Sequence, residues 1–139
     1  MRVFFVLFLL CLLSGCEPVD FKKRNALSLL DRARAVETLR LNADAFSEGD
    51  IEAMEATMHP DALGLSDAQA LFDRYAPKME ISAVKFVSAN SGDVVFDYTQ
   101  AIQSTRAKLP VTGARVRTLL RRTASGWGIL STDILSVSR

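Results

Sequence analysis

The hydrophobic period of the chain changes once, close to residue 80. Before that point apolar residues recur at steps of three and four, which is the spacing of one face of a helix. After it apolar and polar residues alternate, first up to a turn cluster at residues 90–93 and then around a second turn at residues 124–126. Helices followed by antiparallel strands predict an α+β domain, in which three helices pack on a sheet of about four strands.

Capping residues give the limits of the first two helices. Ser28 is placed to cap the first helix, with Asp31 three residues further on, and Gly49 ends it as a C′ glycine. Asp50 is placed to cap a short second helix, which stops before Pro60 because the residue preceding a proline avoids helical space.

A third helix is predicted to open at Ser66, where Gln69 completes a capping box, and to break close to Pro77. The apolar stripes assigned to the long helices are Leu29, Ala33, Val36, Leu39, Ala43 and Phe46 on the first, and Ala68, Leu71, Phe72, Tyr75 and Met79 on the third.

The strands are predicted from alternation alone. The first strand follows Glu80, and the returning strand runs from Val94 to Ile102. Alternation on the returning strand places Asp97 on the side opposite Tyr98, and we expect Asp97 to be solvated there. A second hairpin joins residues 115–123 to residues 127–137. In the first strand, Ile81, Ala83, Lys85 and Val87 are predicted to share one face and Ser82, Val84 and Phe86 the other.

The N-terminus carries an unbroken apolar run of eleven residues, residues 3–13, behind the single cation Arg2. A helix needs about 20 apolar residues to cross a bilayer, so the run is too short for a permanent span. Its length and flanks are typical of the apolar region of a signal peptide. The alternatives to a cleaved lipoprotein signal are an ordinary secretory signal and a single-pass membrane anchor that stays uncleaved.

The sequence Leu13-Ser14-Gly15-Cys16 resembles the lipobox of bacterial lipoproteins. The resemblance implies that residues 1–15 are a leader cut off before Cys16, whose sulfur then carries a diacylglyceryl group. Residues 16–27 would be a tether to the membrane. Glu17 follows the cysteine where an Asp would resemble an inner-membrane retention signal, which favours the outer membrane, with the domain facing the periplasm.

The sequences FSEGDIEA at residues 46–53 and MHPDA at residues 58–62 resemble the opening of nuclear transport factor 2-like (SnoaL-like) proteins. The end of the chain, with a Trp just past a Gly turn at residues 122–133, is similar to the last hairpin of that family. The resemblance assigns residues 28–139 to one such domain. It implies a cone in which a curved sheet wraps the helices and leaves a cavity, here shallower because only four strands are predicted. It also implies that a homodimer is a common state.

Composition restricts the partners that the chain could bind. Lys and Arg number 17 against 16 Asp and Glu, so no net field would attract nucleic acid. One His and two Cys argue against a metal site or a disulfide framework, and we expect no metal and no cofactor. Met54, Met58 and Met79 are interpreted as core-filling residues.

Several residues could carry chemistry. Family members that act as enzymes use a carboxylate base. Asp133 is a candidate for such a base because alternation places it on the face of Trp127 and Ile129. The alternative is that Asp133 is a hydrogen-bonded or edge residue of the strand without a catalytic role. His59 is interpreted as a cap residue. The residues expected to line the pocket are Phe46, Phe72, Tyr98, Trp127, Ser131 and Asp133.

A basic stripe lies on one strand face at Arg115, Arg117 and Arg121, with Arg122 beside it. It is interpreted as a solvated face with acidic neighbours, and binding of an anionic partner is the alternative. The function predicted from these observations is a lipid-anchored, non-catalytic module that binds a small apolar ligand or an envelope protein. A small hydrolase or isomerase using Asp133 is one alternative. An accessory lipoprotein that docks through an exposed sheet face, or as a homodimer, is the other.

Overall fold

The computed structural model describes residues 27–64, 68–110 and 112–138. The predicted leader, Cys16, most of the tether and the Ser66 cap lie outside the described residues. The elements are α1 (Leu29–Glu48), α2 (Ile51–Ala56), α3 (Ala68–Tyr75), β1 (Pro77–Ala89), β2 (Asp93–Ser104), β3 (Gly113–Arg122) and β4 (Trp127–Ser138). The four strands form one antiparallel sheet in the order β1-β2-β3-β4, and the predicted α+β class is confirmed.

The predicted caps at Ser28, Gly49 and Asp50 are confirmed. The Ser28 hydroxyl accepts a hydrogen bond from the Asp31 N–H at 3.0 Å, and the Asp50 carboxylate accepts one from the Ala53 N–H at 3.0 Å. Between them Gly49 adopts a left-handed φ of 71°, which ends α1 and lets the chain turn directly into α2. Each helix limit therefore has a local cause in the sequence.

The buried side of α1 differs in part from the predicted stripe. Leu39 and Ala43 are buried as predicted, but Ala35 is completely buried while Leu29 is 83% exposed. Three of the four buried residues of α1 are alanines. Alanine carries little weight in a hydrophobic pattern, yet it lets a helix approach a sheet closely.

The main core lies between α1 and the concave face of the sheet. A second, smaller cluster of Ala45, Met54 and Phe72 joins the three helices. The main cluster consists of Ala35, Leu39, Val94, Phe96, Tyr98, Ala114, Val116, Leu120, Trp127 and Ile129.

The first strand begins earlier than predicted and is irregular. α3 ends at Tyr75, so Met79 belongs to β1 and not to the helix. The register shifts between Ser82 and Lys85, where Ala83 adopts a positive φ of 52°. This bulge breaks the predicted alternation: Ile81, Val84, Phe86 and Ala89 all pack against the core.

A bulge also changes the facing of β4. Leu120 pairs with Ile129 but Leu119 pairs with Ser131, so Leu130 is an extra residue. Thr132 consequently lies opposite the buried Thr118, whereas Asp133 lies opposite Arg117 on the convex face. The prediction that Ser131 and Asp133 share the face of Trp127 and Ile129 is therefore wrong, because the inserted residue reverses the facing of residues 131–134, up to a second bulge at Leu135.

The segment after α2 pairs with the start of β4. The His59 N–H donates to the Ile129 carbonyl at 2.8 Å, and the Ile129 N–H donates to the Thr57 carbonyl at 2.9 Å. The His59 imidazole accepts a hydrogen bond through Nδ1 from the Asp61 N–H at 3.0 Å, so it closes a turn after α2, whereas the residue that caps the C-terminus of α2 is Thr57 and not His59 as predicted. This pairing holds Met58 across one end of the sheet.

Within the described ranges, none of the helices has the length and apolar character required to cross a membrane.

Candidate functional site

A cavity of about 650 Å³ opens between α1, the segment that follows α2, and strands β1, β2 and β4. Most of its wall is apolar. The apolar lining residues are Leu39, Phe46, Met54, Met58, Leu63, Met79, Ile81, Ile129 and Leu130.

A chain of hydroxyl groups lines the wall on the side of the sheet. The Thr118 hydroxyl donates to the Tyr98 hydroxyl at 3.1 Å and lies 2.9 Å from the Thr132 hydroxyl. Since Thr118 has a single proton and gives it to Tyr98, Thr132 must be the donor in the second bond. Tyr98 therefore receives a hydrogen bond from Thr118, and its hydroxyl also lies within hydrogen-bond reach of the Gln100 side chain. Burial raises the pKa of the Tyr98 phenol above its usual value, so the proton stays in place.

Two side-chain amides contribute further polar atoms. The Asn42 amide nitrogen donates to the Thr57 hydroxyl at 2.8 Å, and Thr57 donates to the Met54 carbonyl at 2.6 Å. This arrangement fixes the Asn42 side chain and leaves its carbonyl oxygen as an acceptor beside the cavity. Gln100 lies two residues after Tyr98 on β2 and also lines the cavity.

The charged residues of the cavity are both acidic and both exposed. Asp61, in the segment after α2, and Asp133, on β4, border the cavity where it meets solvent. Among the described residues, no Lys or Arg lines it. The cavity therefore offers neutral hydrogen-bonding groups inside and negative charge at its mouth.

The structure brings together four of the six predicted pocket residues. Phe46, Tyr98, Ser131 and Asp133 border the cavity, although the last two have their side chains on the convex face of β4.

Phe72 and Trp127 are corrections to the predicted pocket. Phe72 packs edge-to-face on the outer side of Phe46, with ring centroids 5.3 Å apart, and belongs to the small helical cluster. Trp127 is buried at the other end of the sheet, beneath the Arg122 guanidinium, which lies 4.5 Å from the centroid of its ring. Both residues fill the structure around the cavity without lining it.

Sequence reasoning missed the polar lining residues Asn42, Gln100 and Thr132. Asn42 was detectable, because it follows Leu39 by three residues and precedes Phe46 by four, on the apolar face of α1. Gln100 shares the strand face of Tyr98, which was a second signal. Thr132 could not be found by alternation because of the bulge before it. Met58 and Met79 line the cavity and are half-buried, while Met54 is buried as a core residue.

The convex face of the sheet carries a ladder of ion pairs. Arg117 binds Asp97 through two hydrogen bonds of 2.7 and 2.9 Å, and Arg121 binds Asp93 through bonds of 2.8 and 3.1 Å. The hydrogen bond from Arg117 holds the pKa of Asp97 below its usual value. The interpretation of the arginine stripe as a face with acidic neighbours agrees with this geometry. Asp97 points away from the core as predicted, but it is only 6% exposed and so is not solvated.

Among the residues that the structure describes, no group of three or more His, Cys, Asp or Glu side chains is placed to hold a metal ion.

No family model and no curated protein sequence matches the chain. Solved structures resemble it in fold. A protein of unknown function with a cystatin-like fold from Nostoc punctiforme has a TM-score of 0.66 at 17% identity, over 81% of this chain and 94% of that chain. A protein from Catenulispora acidiphila in complex with S-DNPA has a TM-score of 0.61 at 18% identity, over 77% of this chain and 93% of that chain.

A candidate aromatic ring hydroxylase from Novosphingobium aromaticivorans is also similar, with a TM-score of 0.60 at 15% identity over 81% of this chain and 95% of that chain. These likenesses establish a cystatin-like, nuclear transport factor 2-like cone fold for the described residues. At such identities they carry the fold alone.

Proposed function

We propose that this chain is a binding module for a small, neutral, largely apolar molecule, which it holds without chemical change. The observation that carries the proposal is the apolar cavity with the Tyr98 hydroxyl in its wall, oriented by Thr118 and Thr132. Ligand pockets of about 300–1,000 Å³ with apolar walls and a few placed polar groups are the usual form of a small-molecule site.

The polar atoms suit a ligand that carries a carbonyl or hydroxyl group. Tyr98 offers a proton, and Asn42 offers a carbonyl oxygen that its bond to Thr57 leaves unused. An anionic ligand would lose its hydration inside the cavity without meeting an opposite charge. Asp61 and Asp133 at the mouth would repel an anion in addition.

Binding is favoured over turnover by the position of the candidate base. A general base must come within hydrogen-bond reach of the proton that it removes. The Asp133 side chain lies opposite Arg117 on the convex face, whereas Tyr98 and Thr132 lie on the concave face that lines the cavity. If the alternative enzyme existed, Asp133→Asn would abolish its turnover, whereas a binding module keeps its ligand affinity in that variant.

The similar structures support a binding role at the level of the fold. One protein with this fold is known in complex with a small molecule, S-DNPA, and another is a candidate aromatic ring hydroxylase. The same architecture therefore occurs in proteins named for binding and for catalysis, and the position of Asp133 on the convex face supports the binding role proposed for this chain.

We propose further that the module is held on the outer membrane, facing the periplasm, by lipid on Cys16. The Leu13-Ser14-Gly15-Cys16 sequence supports this proposal. Each buried methylene of an acyl chain contributes about 0.8 kcal/mol, and two or more chains hold a protein stably. A module at this position would meet apolar molecules as they leave or enter the bilayer.

The direct test is binding of N-phenyl-1-naphthylamine, a neutral apolar fluorophore, to the membrane-extracted protein. Met79→Trp places a large side chain in the cavity, and Val87→Trp places the same side chain at an exposed position of the same strand. We expect the wild type and Val87→Trp to bind the fluorophore alike and Met79→Trp to bind it at least tenfold more weakly. Equal binding by all three would show that the cavity is not the site.

A further inference from the structure

The residues that the structure describes cover the outer edge of β4 along only part of its length. Residues 57–59 pair with β4 at Ile129, near the beginning of the strand. Beyond that point every residue from 131 to 138 is exposed. Within residues 27–64, 68–110 and 112–138, the described pairings place no further strand on this edge.

The uncovered part of β4 also carries apolar side chains. Ile134, Leu135 and Val137 are 68%, 45% and 49% exposed. A strand edge with free backbone groups and apolar side chains is a template for another strand, and proteins that remain single normally protect such an edge with Lys, Pro or a covering segment. The segment from 131 to 138 has no Lys and no Pro, and its protection consists of one charged residue, Asp133, and the bulge at Leu135.

The charges beside this edge are arranged unevenly. Asp97 is already bound by Arg117 through two hydrogen bonds, so Arg115 reaches it only at 3.9 Å, with its own side chain 59% exposed. Arg115 is paired across the ladder with Ser136, and Arg117 with Asp133. Among the described residues, Arg115 is thus paired only loosely, with Asp97, while the Asp133 carboxylate stands at the edge itself.

We propose that residues 131–138 pair antiparallel with the same segment of a second copy of this chain, about a twofold axis. The two four-stranded sheets then become one continuous sheet. Residues that lie opposite each other in an antiparallel pair have their side chains on the same face of the sheet. Because Leu135 is an extra residue in β4, Thr132 and Val137 share one face while Asp133 and Ser136 share the other, so this segment can pair with a second copy of itself. Thr132 lies opposite Val137 of the second copy, Asp133 lies opposite Ser136, and Ile134 meets Leu135 at the axis.

Charge complementarity favours a second copy as the occupant. In this register Asp133 of one copy lies opposite Ser136 of the other. Arg115 of that other copy is paired with the same Ser136 from the neighbouring strand β3. The long Arg115 side chain can reach across it to the carboxylate, and the symmetry forms the contact twice. The pairing also covers the apolar side chains at 134, 135 and 137. It does not depend on whether the cavity holds a ligand.

Disulfide cross-linking in membranes tests the register. The full chain carrying Thr132→Cys and Val137→Cys together brings the two new thiols face to face across the axis. In either single variant the new thiols of the two copies lie about 16 Å apart, at roughly 3.3 Å per residue. We expect a covalently linked dimer in the double variant well above the level in the two single variants, which share its native cysteines. No linked dimer in the double variant, or equal amounts in all three, would overturn the proposal.

Sedimentation of the detergent-extracted chain provides a second test. Ile134→Arg places a charge at the axis, and Val87→Arg places one at an exposed residue of the opposite edge strand. We expect the wild type and Val87→Arg to sediment as dimers and Ile134→Arg as a monomer that still binds N-phenyl-1-naphthylamine. A wild type that is monomeric, or an Ile134→Arg variant that stays dimeric, would contradict the proposed interface.

Discussion

Gly128 lies directly against the backbone of His59. A Cβ atom on Gly128 would stand 2.8 Å from both the nitrogen and the Cα of His59, and 3.1 Å from the carbonyl carbon of Met58. Only a residue without a side chain lets the segment after α2 approach β4 closely enough to form its two hydrogen bonds. Because this segment carries Met58, the contact also shapes the wall of the cavity.

Gly128→Ala is therefore expected to destabilise the protein. The added methyl group meets backbone atoms, which cannot move aside like the end of a flexible side chain. Overpacking of this kind costs about 1–3 kcal/mol. Urea unfolding measures the change, and Gly92→Ala is the matched control because a Cβ there meets nothing within 4 Å. Equal losses in the two variants would show that the contact with His59 is not tight.

The ion pair between Asp97 and Arg117 predicts a loss of stability in acid. The hydrogen bond from Arg117 lowers the pKa of Asp97 in the folded protein. A carboxylate with a lowered folded-state pKa contributes stability above its unfolded pKa of about 3.9, and that contribution disappears as the pH falls through the folded value. Asp97→Asn should be less stable than the wild type at neutral pH and should lose less stability on acidification.

Urea midpoints measured between neutral and strongly acidic pH decide this question. Asp44→Asn, at an exposed position of α1, serves as the control and should follow the wild type. If the urea midpoint of Asp97→Asn falls with pH as steeply as that of the wild type, the ion pair between Asp97 and Arg117 does not determine the loss of stability in acid.

Tyr98 is expected to ionise at a pH above the ordinary value of about 10 for tyrosine. Burial raises its pKa, and the hydrogen bond from Thr118 opposes part of that effect. A raised folded-state pKa means that stability is complete below the unfolded pKa and is lost as the pH rises through the folded value. Thr118→Val removes a donor to the phenolate and should raise the pKa of Tyr98 further.

Phenolate absorbance measures this titration cleanly, since the chain has only two tyrosines and Tyr75→Phe leaves Tyr98 alone. An ordinary midpoint for Tyr98, or a midpoint that falls in Thr118→Val, would mean that the hydroxyl is not buried in the chain of hydrogen bonds described above.

The sequence predicted those parts of the fold that depend on local chemistry. Ser28, Gly49 and Asp50 act where they were expected, because a cap or a left-handed residue needs only its immediate neighbours. The order of helices and hairpins followed from hydrophobic period for the same reason. Met79 is predicted to be helical because it lies four residues after Tyr75 and so continues the apolar spacing of α3, but the helix ends at Tyr75.

The candidate site was predicted less well, because facing in a strand depends on register. One extra residue, Leu130, turned Asp133 away from the face of Ile129 and brought Thr132 onto it. No local pattern marks that bulge. Phe72 and Trp127 are buried aromatic residues as expected. Whether a buried aromatic side chain lines the cavity or packs beside it depends on how the helices and strands are arranged in space, which local sequence does not show.

Cys16→Ser tests the proposed lipid anchor. Oxygen in place of sulfur cannot form the thioether, and in a lipoprotein the leader is then not cut. Intact mass of the membrane fraction should show the wild type without residues 1–15 and with added acyl mass, and the Ser variant with neither change. Cys11→Ser, within the apolar run, is the control and should be processed normally. Masses of wild type and Cys16→Ser that differ only by the exchange of one sulfur for one oxygen would contradict the anchor.

The most direct test of the binding account compares two fluorophores that differ by one charged group. N-phenyl-1-naphthylamine is neutral, and 1-anilinonaphthalene-8-sulfonate is the same skeleton with a sulfonate. A cavity with neutral polar groups inside and carboxylates at its mouth should bind the neutral compound at least about tenfold more tightly, a difference of about 1.4 kcal/mol. It should also lose that compound in Met79→Trp. Equal or tighter binding of the sulfonate at the same site would contradict the account.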